Sequence, residues 1–337
     1  MLTKKRPLAW IFVLVALTFL PRAAGAAEPV KLGLLKTAGN GGTFVALERG
    51  YFAAEGLALE LTYFEAAQPI AVATVSGDVD IGATALTGGL YNLAAQGSLR
   101  VIAGQSADAP SFQNNTVIVS KRAYEQGLKS YKDLAGHSVA ITTIGSSPQY
   151  CVVLLAEKYG FDLRSIRFLP LQTTPNVVSA VIGAQADAGV GPAAPLLPPV
   201  QRDEAKLLGF IGDETPFQLG AMFVATKTAE RRGDMIKAFL NAYRKGARDY
   251  HDAFTGPDEK RKDGPQAAAI MAILAKYLGQ TPEQLKSGIS YVDAEARIDA
   301  KDVQHQIEWY RSQGLMKGEL TSAELIDKRY AIVLPAK

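Results

Sequence analysis

Residues Val30–Arg49, VKLGLLKTAGNGGTFVALER, contain a short apolar strand (Val30–Leu35), a loop of small polar residues (Thr37–Thr43) and the start of a helix (Phe44–Arg49). The same unit recurs twice. Val79–Ala83 runs into Thr84-Ala85-Leu86-Thr87-Gly88-Gly89 and then Leu90–Ala95. Ser138–Ile141 runs into Thr142-Thr143-Ile144-Gly145-Ser146-Ser147-Pro148 and then Tyr150–Tyr159. Repeated strand–loop–helix units predict an α/β protein. In open α/β sheets, ligands bind beyond the carboxyl ends of the strands, where helix N-termini present unpaired N–H groups. Several such turns at one cleft make a polar site with a positive lean and no catalytic side chain. The pattern predicts a protein that holds something small.

Outward from these units the alternation continues. Leu57, Leu59, Leu61 and Tyr63 alternate with Ala58, Glu60 and Thr62, a strand, and Pro69–Ser76 reads as a helix stopped by Gly77. Val101–Gly104, Thr116–Val119, Ser165–Leu169, Asp187–Val190, Lys206–Phe210 and Ala221–Thr226 are further strands, and Pro175–Ala184 a helix. Pro195, Pro198 and Pro199 predict an irregular stretch after Gly191-Pro192. The rest is mostly helical: Glu230–Phe254, with Met235, Phe239, Ala242, Tyr243, Gly246 and Tyr250 at helical spacing, then Gln266–Leu278, Thr281–Ser287, Ala300–Gln313 and Ser322–Lys328. Asp258–Asp263 is a charged, solvated loop. Gly77-Asp78-Val79-Asp80-Ile81-Gly82 is echoed by Gly183-Ala184-Gln185-Ala186-Asp187-Ala188-Gly189, as two similar α/β lobes would produce.

The start of the chain bears on compartment. Lys4-Lys5-Arg6, the apolar run Leu8–Leu20 and the small residues Ala24-Gly25-Ala26 form a cleavable signal peptide over residues 1–26. Its apolar run is short of the ~20 residues a membrane span needs. The expected product is exported to the periplasm. The single cysteine, Cys151, excludes an intrachain disulfide and a zinc ribbon, and is expected to be a buried hydrophobe. Of the formal charge of +3, the leader carries four cations and no acid, which leaves −1 on the mature chain. That balance argues against nucleic-acid or membrane-surface partners. His137, His251 and His305 fall in no metal or hydrolase spacing, and no Walker A loop or GxGxxG helix opening is present. No enzyme activity, cofactor or metal is expected.

The segment Gly41–Leu57, GGTFVALERGYFAAEGL, resembles the opening of the nitrate/sulfonate/taurine-type substrate-binding proteins of ABC importers. Gly77–Gly82, Leu134-Ala135-Gly136-His137-Ser138-Val139-Ala140 and Gly191-Pro192-Ala193 resemble later landmarks of that family. The resemblance implies a type II periplasmic binding protein: two α/β lobes, a hinge of two crossing strands and a helical C-terminal region. It places the crossings near Asn114–Val119 and Gly220–Thr226. Residues 27–116 with 223–337 would form lobe one, and 117–222 lobe two. It implies a monomer that carries a small-molecule ligand to an ABC permease. Two further readings stay open: a thiamine-pyrimidine-precursor binder or synthase-like protein, whose Cys-rich signature is absent here, and a ligand-binding sensor subunit.

Family contacts carried onto this chain fall on Ala38, Gly39, Asn40, Thr43, Thr84, Ala85, Ser106, Thr142, Thr143, Gly145, Ser146 and Ser147. The residues themselves favour much the same positions, since Gly permits close approach and Ser, Thr and Asn add donors at helix starts. Lys36, just before the first loop, adds a full positive charge for an acidic ligand. Gln172-Thr173-Thr174-Pro175 would line the far wall, and Tyr150, Phe112 and Phe217 would offer apolar contacts. Asp108, if it reached the cleft, would call for an amine or several hydroxyls on the ligand. Few charged residues and no histidine fall in these loops, which favours a small organic anion, a sulfonate or carboxylate, aromatic acids included.

Overall fold

The computed structural model describes residues 26–335. The expected signal peptide lies outside the described residues but for Ala26. β1 (Glu28–Leu34) leads through a 3-10 turn (Ala38–Asn40) into α1 (Gly41–Glu48) and α2 (Tyr51–Ala54). β2 (Leu57–Tyr63), α3 (Ala67–Ser76), β3 (Ile81–Ala85), α4 (Gly88–Ala95) and β4 (Leu99–Asp108) follow. Next come β5 (Asn115–Ser120), α5 (Lys121–Glu125), β6 (Ser138–Ile141), α6 (Ser147–Tyr159), β7 (Arg167–Pro170) and α7 (Thr174–Ile182). β8 (Ala188–Pro192), α8 (Ala193–Gln201), β9 (Ala205–Phe210), α9 (Ile211–Glu214) and β10 (Phe217–Ala225) complete the strands. The chain ends in α10 (Thr226–Arg231), α11 (Gly233–Phe254), α12 (Ala267–Leu278), α13 (Pro282–Lys286), α14 (Ala300–Ser312) and α15 (Ser322–Leu325).

The strands form two five-stranded sheets, ordered β2-β1-β3-β10-β4 and β7-β6-β8-β5-β9. Each holds three parallel strands, then one antiparallel strand that arrives from the other sheet: β10 beside β3, and β5 beside β8. The two sheets thus repeat one arrangement, in line with the Gly-Asp echo in the sequence. The chain passes from the first sheet to the second through residues 109–114 and returns through 211–216. Asn115–Val119 and Gly220–Ala225 are therefore strands lying just beyond the two passages. Phe217–Ala225 pairs with β4 along its whole length, so residues 217–222, grouped by sequence with the second lobe, lie in the first sheet.

Burial explains the strand assignments. Val30, Leu32 and Leu34 are fully buried on β1, and every residue of β5, which lies between β8 and β9, is buried. On α11 the expected stripe Met235, Phe239, Ala242, Tyr243, Gly246 and Tyr250 is buried against α1. A Cβ at Gly246 would lie 2.2 Å from the Gly42 carbonyl oxygen, so this glycine is what lets the two helix backbones touch. The expected irregular stretch at Pro195, Pro198 and Pro199 is instead helix α8. Prolines in its interior remove backbone donors. The helix persists because Ala193 N–H bonds Asn114 C=O (2.7 Å) and Leu196, Leu197 and Pro199 are buried, so packing overrides propensity.

Candidate functional site

A cleft of about 790 Å³, counting its open mouth, lies beyond the carboxyl ends of β1, β3, β6 and β8. Helix starts surround it. Its wall includes Ala66, Ala67 and Gln68 at the start of α3, Thr87 capping α4, Ser146–Pro148 opening α6, Thr174 opening α7 and Pro192 preceding α8. Thr37 flanks, and Gly39 lies in, the 3-10 turn that precedes α1. Helix N-termini carry partial positive charge and free donors, so their convergence favours an anion. Glu65, at the exposed rim, is the one charged residue on the wall, and Leu35, Ala66, Ala67, Ala85, Pro148, Pro192 and Leu219 supply an apolar side.

Three buried polar atoms on this wall meet no hydrogen-bond partner within strict geometry: Thr84 Oγ1, Asn114 Nδ2, which is directed at the Asp108 carboxylate, and Ser146 Oγ. Their residues are 2%, 8% and 5% exposed. Buried polar groups are nearly always paired, so orphans on one wall can take a partner from outside the chain, a water or a ligand; Thr43 Oγ1, Tyr131 Oη, Thr215 Oγ1 and Gln280 Oε1 are likewise unpaired away from it. Ser146 is the N-cap of α6, yet its side chain makes no capping bond; Gln149 Oε1 instead accepts from Gly145 N–H (2.7 Å). By contrast, Thr87 and Thr173 do cap their helices.

Of the sequence candidates, Gly39, Thr84, Ala85, Ser106, Thr142, Thr143, Ser146 and Ser147 come together on the wall; Lys36, Ala38, Asn40, Thr43 and Gly145 do not. Lys36 is exposed and lies over the Tyr63 ring, 4.9 Å from its centre. Asn40 is turned inward, where Nδ2 donates to Leu35 C=O (2.8 Å) and Oδ1 accepts from Gln105 Nε2 (2.5 Å). Thr43 and Ala38 are buried in the first turns, away from the wall. Gly145 accepts from Gly88 N–H (2.9 Å) across the cleft mouth, beside a bond from Gln68 Nε2 to Ile144 C=O (3.3 Å). From the Gln172–Pro175 turn, Thr174 reaches the wall. Tyr150, Phe217 and Phe112 are core: Tyr150 packs on Phe217, Trp309 and Tyr310, and Phe112 on Tyr291.

Asp108 is not on the wall. It ends β4, accepts from Asn115 N–H (3.0 Å) and Nδ2 (2.5 Å), and burial pushes its carboxyl up to about 6 against those bonds. The sequence reading missed Gln105, Asn114, Asn115 and the Glu65–Gln68 turn. The last was findable, since β2 running into α3 is the same strand–loop–helix unit. Cys151 is fully buried on α6, where burial pushes its thiol well up. Among the described residues no group of three or more His, Cys, Asp or Glu side chains is placed to hold a metal ion.

Two parallel-core α/β sheets joined by exchanged antiparallel strands, with a cleft at their carboxyl ends, define the periplasmic binding protein fold. Residues 39–259 match the family described as NMT1/THI5 like, and the chain belongs to that family. Its fold is also that of the aliphatic sulphonate binding protein SsuA from Escherichia coli (TM-score 0.69, 18% identity, 90% of this chain and 98% of that one). The alkanesulfonate-binding protein SsuA from Xanthomonas axonopodis pv. citri, bound to MOPS, matches equally (0.69, 18%, 90% and 99%). The nitrate-binding protein NrtA from Synechocystis PCC 6803 matches at TM-score 0.66 and 12% identity, over 89% and 85% of the chains. No curated protein sequence matches the chain.

Proposed function

We propose that this protein is the exported, non-catalytic solute-binding component of an ABC importer, and that it captures a small organic anion, a sulfonate or carboxylate, between two lobes. The observation that carries this reading is the pair of orphaned hydroxyls, Thr84 Oγ1 and Ser146 Oγ, on a wall ringed by helix starts. Donors of this kind stabilise negative charge without a side-chain cation. The apolar wall would take a short alkyl or aromatic body. The solved relatives named for sulfonates and nitrate support the anion class. Among the described residues no helix is long and apolar enough to cross a membrane.

The two sheets would move as lobes about residues 109–114 and 211–216, and the permease would recognise mainly the closed state. The closed geometry is favoured by the Gly88–Gly145 bond and by Tyr150 on α6 bonding His305 Nδ1 on α14 (2.6 Å). The test is a thermal-shift panel on the chain from Ala27: sulfonates, aromatic and aliphatic carboxylates, nitrate, bicarbonate, pyrimidines and amines. A ligand at 100 times its dissociation constant stabilises by about 2.7 kcal/mol. Hits among acids, weakened by Ser146→Asp in calorimetry, support the reading. Hits confined to pyrimidines or amines refute it.

A further inference from the structure

Three consecutive carbonyls of the loop between β6 and α6 accept hydrogen bonds from across the cleft. Ile144 C=O takes Gln68 Nε2 of α3 (3.3 Å), Gly145 C=O takes the Gly88 N–H of α4 (2.9 Å), and Ser146 C=O takes Tyr310 Oη of α14 (3.4 Å). The loop belongs to the second sheet, since β6 pairs with β7 and β8. The donors belong to the first, since α3 packs on β3 and β1, α4 on β4, and α14 on β10. One short loop of lobe two is thus held by three separate elements of lobe one.

Gln68 lies in a trough between two glycines: a Cβ at Gly89 would lie 3.4 Å from its Cγ, and one at Gly145 would lie 3.6 Å from its Nε2. Gly145 sits at φ +78°, which glycine adopts without cost, so the turn that presents these carbonyls is set locally. Tyr310 is wholly buried, and among the described residues its hydroxyl bonds Ser146 C=O alone. Neither the Gln68 nor the Tyr310 bond belongs to a helix or sheet ladder, so neither lobe needs them to fold. Their effect is to hold the loop against lobe one.

We propose that Gln68 and Tyr310 are positioning residues that, with the Gly88 amide, latch the Ile144–Ser146 loop to lobe one and so set how often the cleft opens. The proposal rests on the reading of the two sheets as moving lobes. Ser146 carries both an orphaned hydroxyl on the cleft wall and a latched carbonyl. A ligand that takes the hydroxyl therefore binds a loop whose place the latch has already fixed.

Amide hydrogen exchange, read by NMR on the chain from Ala27 with no ligand added, tests it. The Gly88 N–H bonds across the cleft, whereas the Tyr91 N–H of the same helix bonds Thr87 C=O (3.0 Å) within lobe one. Opening of the lobes frees the first and leaves the second. In the unsubstituted chain Gly88 is expected to exchange more slowly than a free amide and faster than Tyr91. Gln68→Ala and Tyr310→Phe each remove one neutral bond, and each is expected to speed Gly88 exchange about two- to tenfold with Tyr91 unchanged. Equal acceleration at both amides would assign the bonds to the folding of lobe one and overturns the proposal, as does Gly88 exchange that neither variant changes. Exchange of Gly88 at the free-amide rate in the unsubstituted chain overturns the latch and leaves the lobes free to move. Gly88 as slow as Tyr91 in all three proteins overturns both the latch and the reading of the sheets as moving lobes.

Discussion

Replacing Thr84 by Val keeps a branched side chain of nearly the same shape and removes one hydroxyl. Thr84 sits near the end of β3, opposite Ala221 of β10, and is 2% exposed. Its Oγ1 meets no partner in the protein. A buried, unpaired hydroxyl costs about 1–3 kcal/mol, and a trapped water would recover part of that. The ligand-free variant should therefore be more stable than the parent by about 1 kcal/mol. Binding should move the other way, because the hydroxyl is held for the ligand: a loss of about 1–3 kcal/mol is roughly a 5- to 150-fold weaker dissociation constant. Urea unfolding without ligand and calorimetry with the tightest acid from the panel measure the two quantities. A variant that loses stability and binds as before would show that the hydroxyl serves the fold, and would remove Thr84 from the site.

Two other perturbations test the frame around the cleft. Asp302, in the first turn of α14, accepts from Gln218 N–H (2.9 Å) and Gln306 Nε2 (2.7 Å) on one oxygen, and burial pushes its carboxyl up to about 6 from 3.8. Between those values the folded chain binds a proton that the unfolded chain does not, so this group's penalty appears as pH rises through about 6 and is absent below about 4. Asp302→Asn can present an oxygen to both donors, and should stabilise by about 1–3 kcal/mol at pH 7.5, less the small helix-dipole benefit of the charge. The gain should vanish at pH 4 in the same denaturation assay; a pH-independent difference refutes the assignment. Gly246→Ala places a methyl 2.2 Å from the Gly42 oxygen, and overpacking of this kind costs about 1–3 kcal/mol, read as a lower urea midpoint at unchanged slope. An unchanged midpoint would show that α1 and α11 separate at little cost.

Much of the frame was legible in the residues because local chemistry decides it. Leu57–Tyr63 and Ser138–Ile141 are strands at the expected limits, since alternation and β-branching need only neighbours along the chain. The loops after β1, β3 and β6 were legible as polar turns ahead of helices for the same reason: Gly, Ser and Thr between an apolar strand and a helical run form a local pattern. The helical α8 was not legible, because three prolines argue against it locally and only burial of Leu196, Leu197 and Pro199 argues for it. Lys36 and Asn40 stand in the same loop as Gly39, yet Lys36 lies on Tyr63 and Asn40 faces Gln105, 65 residues away along the chain. Nothing near either residue in sequence announces that partner. Asn114 reaches the wall because the chain passes between the sheets there, and a passage is a property of sheet order. The sequence by itself thus determined the α/β class and the polar turns that follow β1, β3 and β6. Which of the loop polar groups are spent on the protein, and which are left unpaired, only the tertiary structure decided, since a hydrogen bond is committed by contacts distant in sequence.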